Sequence, residues 1–168
     1  GDERGRQIAQ YIPIADSIIM QHAAKSNIPG VAYGIVIDGK LIHAGFRGLS
    51  NIKENIPVTD HTTFRIASMT KSFTTMAILI LRDQGKLSLD DPASKYIPEM
   101  AGMKYLTSDA PEITIRDLMT HRAGFPEDNP YGDRQLSDTD EELMNLLKEG
   151  PSFSNVAGIK YEYSNLGV

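Results

Sequence analysis

The chain has 168 residues, 17 basic and 22 acidic, for a formal charge of −5 with histidine neutral. That length fits one domain with an ordinary core, and a 40 % hydrophobic content excludes disordered and fibrous classes. The acidic balance, with a pI near 5.3, argues against binding a nucleic-acid backbone, which needs a basic face.

Zero cysteines remove disulfides, thiolate nucleophiles and Cys-ligated zinc together. His22, His43, His61 and His121 lack metal-ligand spacing, so no metal is expected. His121 is expected to pack or hydrogen-bond within its loop. The strongly apolar run at residues 76–81 is far too short to span a bilayer. The opening Gly1-Asp2-Glu3-Arg4-Gly5-Arg6 is polar and has no apolar targeting core.

In chain order, Ile8, Ile12, Ile14, Ile18 and Ile19 recur at helical spacing and predict a first helix over residues 6–25. Pro13 must bend or restart it. Two β-rich runs, 31–37 and 40–46, flank Asp38-Gly39 and predict a tight hairpin. The polar stretch 49–60 reads as a loop. A second helix is expected over 68–84, with Gly85 at the left-handed position after its last turn. Thr114 and Asp117 have capping-box spacing and start a third helix that stops near Gly124. A fourth follows Ser137, with Asp138, Asp140, Glu141 and Glu142 near its positive end. Its apolar face is Leu143, Met144, Leu146 and Leu147, and Gly150-Pro151 ends it. Strands precede helices, which predicts a mixed α/β or α+β domain with an antiparallel sheet.

The second helix carries the anomaly. Met69, Phe73, Met76, Ala77, Ile78, Leu79, Ile80 and Leu81 make it apolar nearly all round, so it should be buried. Yet Ser68, Lys71, Ser72 and Thr75 form one polar stripe at i, i+3, i+4 and i+7. A lysine on a buried helix is expensive unless paired or placed at a cleft. One reading makes Ser68 a nucleophile and Lys71 its activator, with helix N-terminal N–H groups aiding a developing oxyanion. The other makes Ser68 a helix cap and Lys71 a first-turn lysine reaching solvent. Ser-x-x-Lys spacing alone is weak, with about one chance match expected in such a chain. Ser50-Asn51-Ile52-Lys53 supplies one.

Context separates the two. Phe64-Arg-Ile-Ala-Ser68-Met-Thr-Lys71-Ser-Phe-Thr74 resembles the nucleophile segment of the penicillin-recognising serine hydrolases. That superfamily contains class C β-lactamases, D-alanyl-D-alanine carboxypeptidases, D-aminopeptidases and related esterases. The resemblance continues through Gln84-Gly-Lys-Leu-Ser-Leu-Asp-Asp-Pro92 and through Ile113-Thr-Ile-Arg-Asp-Leu-Met-Thr-His-Arg-Ala-Gly-Phe-Pro126, with its His-x-x-Gly turn. Tyr161-Glu-Tyr163-Ser164-Asn165-Leu-Gly resembles the family's second motif, Tyr-x-Asn. The matches run in family order over nearly the whole chain.

The resemblance implies an α/β (α+β) serine β-lactamase-like fold, an antiparallel central sheet flanked by helices, with an all-helical region. It implies Ser68 as the acylated nucleophile, Lys71 as its proton partner, and Tyr163 as the phenol exchanging protons with Ser68 and the leaving group. Asn165 would hold the substrate amide and Lys71, and the Ser68 backbone N–H would be an oxyanion donor. Read on residue type alone, Tyr163 is equally a boundary tyrosine and Asn165 a turn residue. The implied activity is amide or ester hydrolysis through an acyl-enzyme, without metal or organic cofactor, on a small-molecule or peptide substrate such as a D-amino-acid peptide or β-lactam. A non-catalytic sensor or scaffold with the same fold is the alternative. Relatives directed at the cell wall imply extracytoplasmic placement, periplasmic or secreted.

One family element has no counterpart. The third motif, Lys-Thr-Gly or His-x-Gly, belongs on a strand beyond Tyr-x-Asn, whereas the chain ends three residues after Asn165. His43-Ala44-Gly45 matches the pattern but precedes Ser68 on the hairpin and is set aside. Residues 1–168 are therefore expected to be the N-terminal part of a single domain with an incomplete sheet. Its C-terminal half would be absent or supplied as a separate chain.

Overall fold

The computed structural model describes residues 2–127 and 138–168. The chain divides into two compact units, Gly1–Arg65 and Ile66–Val168.

The first unit contains α1 (Asp2–Ala9), α2 (Ile12–Lys25), β1 (Gly30–Ile37), β2 (Lys40–Asn51) and β3 (Ile56–Pro57). The single helix expected over 6–25 is two. Pro13 sits in the first turn of α2, where a missing N–H costs nothing, so the helix restarts there. At its other end Asn27, at φ +53°, takes the left-handed position, and the Asn27 and Ile28 N–H groups close the turn on Ala24 and Ala23.

The sheet is antiparallel in the order β1-β2-β3. Ile37 pairs with Lys40 across Asp38 and Gly39, whose φ values of +49° and +76° give the hairpin its primed turn. The stretch expected to be a loop is partly strand. Leu49 N–H donates to Pro29 O and Val58 N–H to Gly48 O, so backbone pairing carries β2 to Asn51 and adds β3. The surrounding polar residues do not oppose the pairing of Leu49 with Pro57 and Asn51 with Ile56, because the ladder is made by the backbone. His43 lies on β2, its Nε2 3.0 Å from Tyr33 Oη, which donates to Asp16 Oδ1 at 2.8 Å. Arg47 reaches the other Asp16 oxygen at 3.1 Å, so this polar cluster fastens α2 to the sheet.

In the second unit a short 3-10 turn, Ala67–Met69, runs into α3 (Thr70–Asp83). Gly85, at φ +69°, ends α3 as expected, with Gly85 and Lys86 N–H groups donating to Arg82 and Leu81. Irregular chain then leads to α4 (Ile115–Met119), and α5 (Asp140–Glu149) lies later. Both have complete capping boxes, Thr114 with Asp117 and Thr139 with Glu142. Thr139 caps α5, and Ser137, after which this helix was expected, lies outside the described residues. The helix expected to reach Gly124 ends at Met119, because His121 turns left-handed at φ +55°. The core joins Leu89, Met100, Ile113, Phe125 and Leu147, with Ile113 and Phe125 almost wholly buried.

The expectation that α3 is buried fails. None of its residues is buried, and Phe73 and Met76 are 68 % and 59 % exposed. Ile78 and Leu79 pack against the core of the second unit. A helix apolar on all sides but packed on one leaves the others open. Among the described residues no helix is long and apolar enough to cross a membrane.

Candidate active site

The site is built within the second unit by three segments. The first is the entry to α3. Ser68 lies in the 3-10 turn and Lys71 in the first turn of α3. Neither the turn nor the helix has a side-chain cap, so the Ser68 hydroxyl is not spent on capping. Ala67, directly before Ser68, is left-handed at φ +46°. A Cβ-bearing residue there is strained, and such strain gathers where a side chain must be aimed.

The second segment holds the turn after α4. Residues 88–93 pair with 113–116: Ala93 N–H donates to Ile113 O, Ile115 N–H to Asp91 O and Arg116 N–H to Leu89 O. Asp91 anchors this pairing by accepting from the Tyr96 hydroxyl, the Ser88 N–H and Lys95. Chiefly through the Tyr96 hydrogen bond, its carboxyl is held down to about 2. The Gln84-to-Pro92 segment thus fixes where α4 begins and where its C-terminal turn lies.

The third segment, 154–165, docks on that turn. Ser154 and Asn155 N–H groups both donate to Gly124 O, at 2.8 and 3.3 Å, and Gly158 N–H donates to Arg122 O at 2.7 Å. Gly124 is required there. Its φ is +90°, and a Cβ would lie 2.1 Å from Asn155 O. Glu162 closes the loop: its carboxylate accepts from Ser154 Oγ and Asn155 Nδ2, both at 2.8 Å, and from Glu127 N–H at 3.1 Å. Those hydrogen bonds, Ser154 first, hold the Glu162 carboxyl below its ordinary range.

These segments bring together all four residues singled out in the sequence. Tyr163 Oη donates to Ser68 Oγ at 2.8 Å, across 95 positions. Lys71 Nζ donates to Asn165 Oδ1 at 2.7 Å and lies 5.3 Å from the centroid of the Tyr163 ring, within cation–π range. The hydrogen-bond partner of the hydroxyl is therefore Tyr163, and that of the amine is Asn165. Lys71, Tyr163 and Asn165 are half-buried, whereas Ser68 is exposed. An exposed hydroxyl backed by a phenol and an amine can attack an incoming electrophile while its proton stays within the group.

His121, expected to pack or hydrogen-bond within its loop, does both beside Tyr163. His121 stacks on Tyr163, with ring centroids 4.5 Å apart and an interplanar angle of 28°. Its mark in the sequence is the His-x-x-Gly spacing to Gly124; in the structure both residues are left-handed. Glu162 was missed, and nothing in its spacing marks it.

The family model described as Beta-lactamase matches residues 15–168. The chain belongs to the Beta-lactamase family. Protein flp of Staphylococcus aureus (strain NCTC 8325 / PS 47) is 32 % identical over 157 residues, covering 90 % of this chain and 30 % of its own length. The octameric penicillin-binding protein homologue from Pyrococcus abyssi superposes with a TM-score of 0.72 at 28 % identity, covering 93 % of this chain and 36 % of that one. D-alanine carboxypeptidase AmpC from Burkholderia cenocepacia gives 0.65 at 28 % identity, covering 99 % and 41 %. The chain thus spans about a third of the length of these Beta-lactamase relatives. Its helix-and-strand architecture, with a small antiparallel sheet, is a beta-lactamase-like fold.

Proposed function

We propose that this chain carries the acylating centre of a serine hydrolase that opens an amide or ester through a covalent acyl-enzyme. Ser68 Oγ attacks the substrate carbonyl carbon while its proton passes to Tyr163 Oη, with Lys71 holding the second proton of the coupled group. Tyr163 then delivers the proton to the leaving nitrogen or oxygen as the C–N or C–O bond breaks. Water then attacks the ester on Ser68 and gives a proton to the Tyr163 phenolate left by that transfer, which returns it to Ser68 Oγ as the acyl C–O bond breaks. First-turn N–H groups, that of Ser68 among them, are suited to stabilise the oxyanion, because a helix start leaves them without intrahelical acceptors. Asn165 turns Oδ1 toward Lys71, which directs its amide N–H2 away from the lysine as a donor for substrate.

The observation that carries this reading is the 2.8 Å contact between Tyr163 Oη and Ser68 Oγ. The carboxypeptidase and penicillin-binding relatives favour a D-amino-acid peptide or β-lactam as substrate and extracytoplasmic placement. The covered shares of the relatives support the chain being the N-terminal part of a longer domain, and the open apolar sides of α3 offer the surface that the remainder would cover. The test is labelling of the full-length protein by a fluorophosphonate or a fluorescent penicillin. Peptide mapping should place the adduct on Ser68 alone, and Ser68→Ala should abolish it. An adduct on Ser50 or Ser72, or none with either probe, overturns the reading.

A further inference from the structure

We propose that His121 is the positioning residue that sets Tyr163 against Ser68. The inference deepens the serine-hydrolase reading and rests on it for the rate measurement, whereas its structural measurement stands on geometry alone.

The place of His121 is made by α4. The His121 N–H donates to Leu118 O at 3.2 Å and the Arg122 N–H to Asp117 O at 2.8 Å, so the helix closes with His121 at the left-handed position where glycine is usual. Glycine would meet that backbone demand without strain. A histidine is held there at φ +55°, and its imidazole makes contacts glycine lacks. The helix beneath it is fixed at its other end by the Thr114 capping box and the pairing with residues 89–93.

From this point His121 grips three consecutive residues. Its carbonyl accepts the Glu162 N–H at 2.8 Å. Its Nδ1 accepts the Ser164 N–H at 3.2 Å, and Ser164 is buried. Between those two bonds its ring stacks on Tyr163 itself. The Tyr161 ring meets the imidazole edge-on, centroids 5.7 Å apart at 78°. An Nδ1 that accepts from a backbone N–H fixes the ring's orientation and places the neutral ring's proton on Nε2.

A tyrosine hydroxyl is placed by its backbone and by the plane of its ring. Here both are set by one residue: the backbone by hydrogen bonds on either side of Tyr163, one to the His121 carbonyl and one to its Nδ1, and the ring by stacking on the imidazole. In this reading His121 acts on the reaction through Tyr163. Displacing a reacting group by about 1 Å is enough to slow a step by about 100-fold.

The test compares His121→Gly, which keeps the left-handed backbone and its carbonyl but loses the ring, with two partial replacements in the full-length protein. His121→Asn retains an acceptor near the Nδ1 position on a residue that tolerates this backbone; His121→Phe retains the ring face. Acylation by a fluorescent penicillin should slow about 10–100-fold in His121→Gly with probe affinity changed less than about threefold. Asn and Phe should each recover part of the rate. Wild-type acylation in His121→Gly, or equal losses of rate and affinity, overturns the proposal. Should His121→Gly fail to fold, wild-type acylation in both His121→Asn and His121→Phe overturns it equally. A crystal structure of any folded variant reads the same point without chemistry. Tyr163 Oη moved beyond hydrogen-bonding distance of Ser68 Oγ supports the assignment, and an unmoved pair sinks it. Failure of the wild type to acylate on Ser68 removes the serine-hydrolase reading instead, and the structural comparison still decides the role of His121.

Discussion

Lys71 and Asn165 meet at 2.7 Å although 94 positions separate them in the chain. The pairing ties the first turn of α3 to the residue two beyond Tyr163, so the phenol is flanked by a contact to the amine and a contact to the hydroxyl. In the proposed mechanism this group moves a proton among its heteroatoms, so its parts are expected to fail together.

Lys71→Ala and Tyr163→Phe should therefore each slow acylation by about 10²–10⁴-fold while weakening probe binding far less, because the proposed mechanism assigns both to proton transfer. Lys71→Arg should be no better than Lys71→Ala, since a guanidinium stays protonated and cannot take up a proton. Stopped-flow acylation rates at saturating probe measure this. A wild-type rate in any of the three variants would mean that the roles are wrongly assigned.

Gly124 offers a packing test that is independent of chemistry. Gly124→Ala puts a Cβ 2.1 Å from Asn155 O at a φ of +90°, and the obstructing atom is backbone. The cost should be about 3 kcal/mol or more by urea unfolding, combining left-handed strain with a forced shift of the 154–155 loop. Gly39→Ala, at a similar φ of +76° but with nothing within 4 Å, should cost only about 1 kcal/mol. Equal costs at the two positions would show that the loop gives way freely.

Acid stability should depend on Asp91 and Glu162. Both carboxyls are held below their ordinary values of 3.8 and 4.5 in the folded chain, Asp91 at about 2. Folding therefore leaves them ionised where the unfolded chain would take up protons, so their stabilisation is complete above about pH 5 and falls away as pH drops toward 2. Tyr96→Phe removes the largest cause of the Asp91 shift and should move the acid-unfolding midpoint to higher pH. A midpoint unchanged from wild type in circular dichroism would show that the Tyr96 hydroxyl does not hold the carboxylate.

Local signals in the sequence were legible where one or two residues decide the backbone. Asp38-Gly39 placed the hairpin, Thr114 with Asp117 placed α4, and Gly85 placed the end of α3. The grouping of Ser68, Lys71, Tyr163 and Asn165 was legible only through ordered motifs, because contacts across more than 90 positions leave no periodic trace. Three features were not legible. The extension of β2 and the strand β3 rest on two backbone pairings, Leu49 with Pro57 and Asn51 with Ile56, too short a run for alternation to reveal. The early end of α4 depends on a histidine in a position that glycine usually marks. The exposure of α3 escaped because periodicity reports how apolar a helix is, not which of its sides finds a partner.

That exposure leads to a further expectation about residues 1–168 expressed alone. Met69, Phe73, Met76 and Ile80 lie on α3 or at its start with exposures of 66, 68, 59 and 49 %. Residues 69, 73, 76 and 80 follow the i, i+4, i+7, i+11 spacing of one helical face, so they form a continuous apolar strip. Contiguous apolar surface of this kind drives association in water. The isolated chain should self-associate with rising concentration in sedimentation velocity and bind an environment-sensitive apolar dye. Phe73→Lys with Met76→Lys should reduce both, since neither side chain is buried and the charges oppose stacking of the strip on itself. A chain that stays monomeric at every concentration, binds no dye and unfolds cooperatively would show that α3 tolerates solvent on this face.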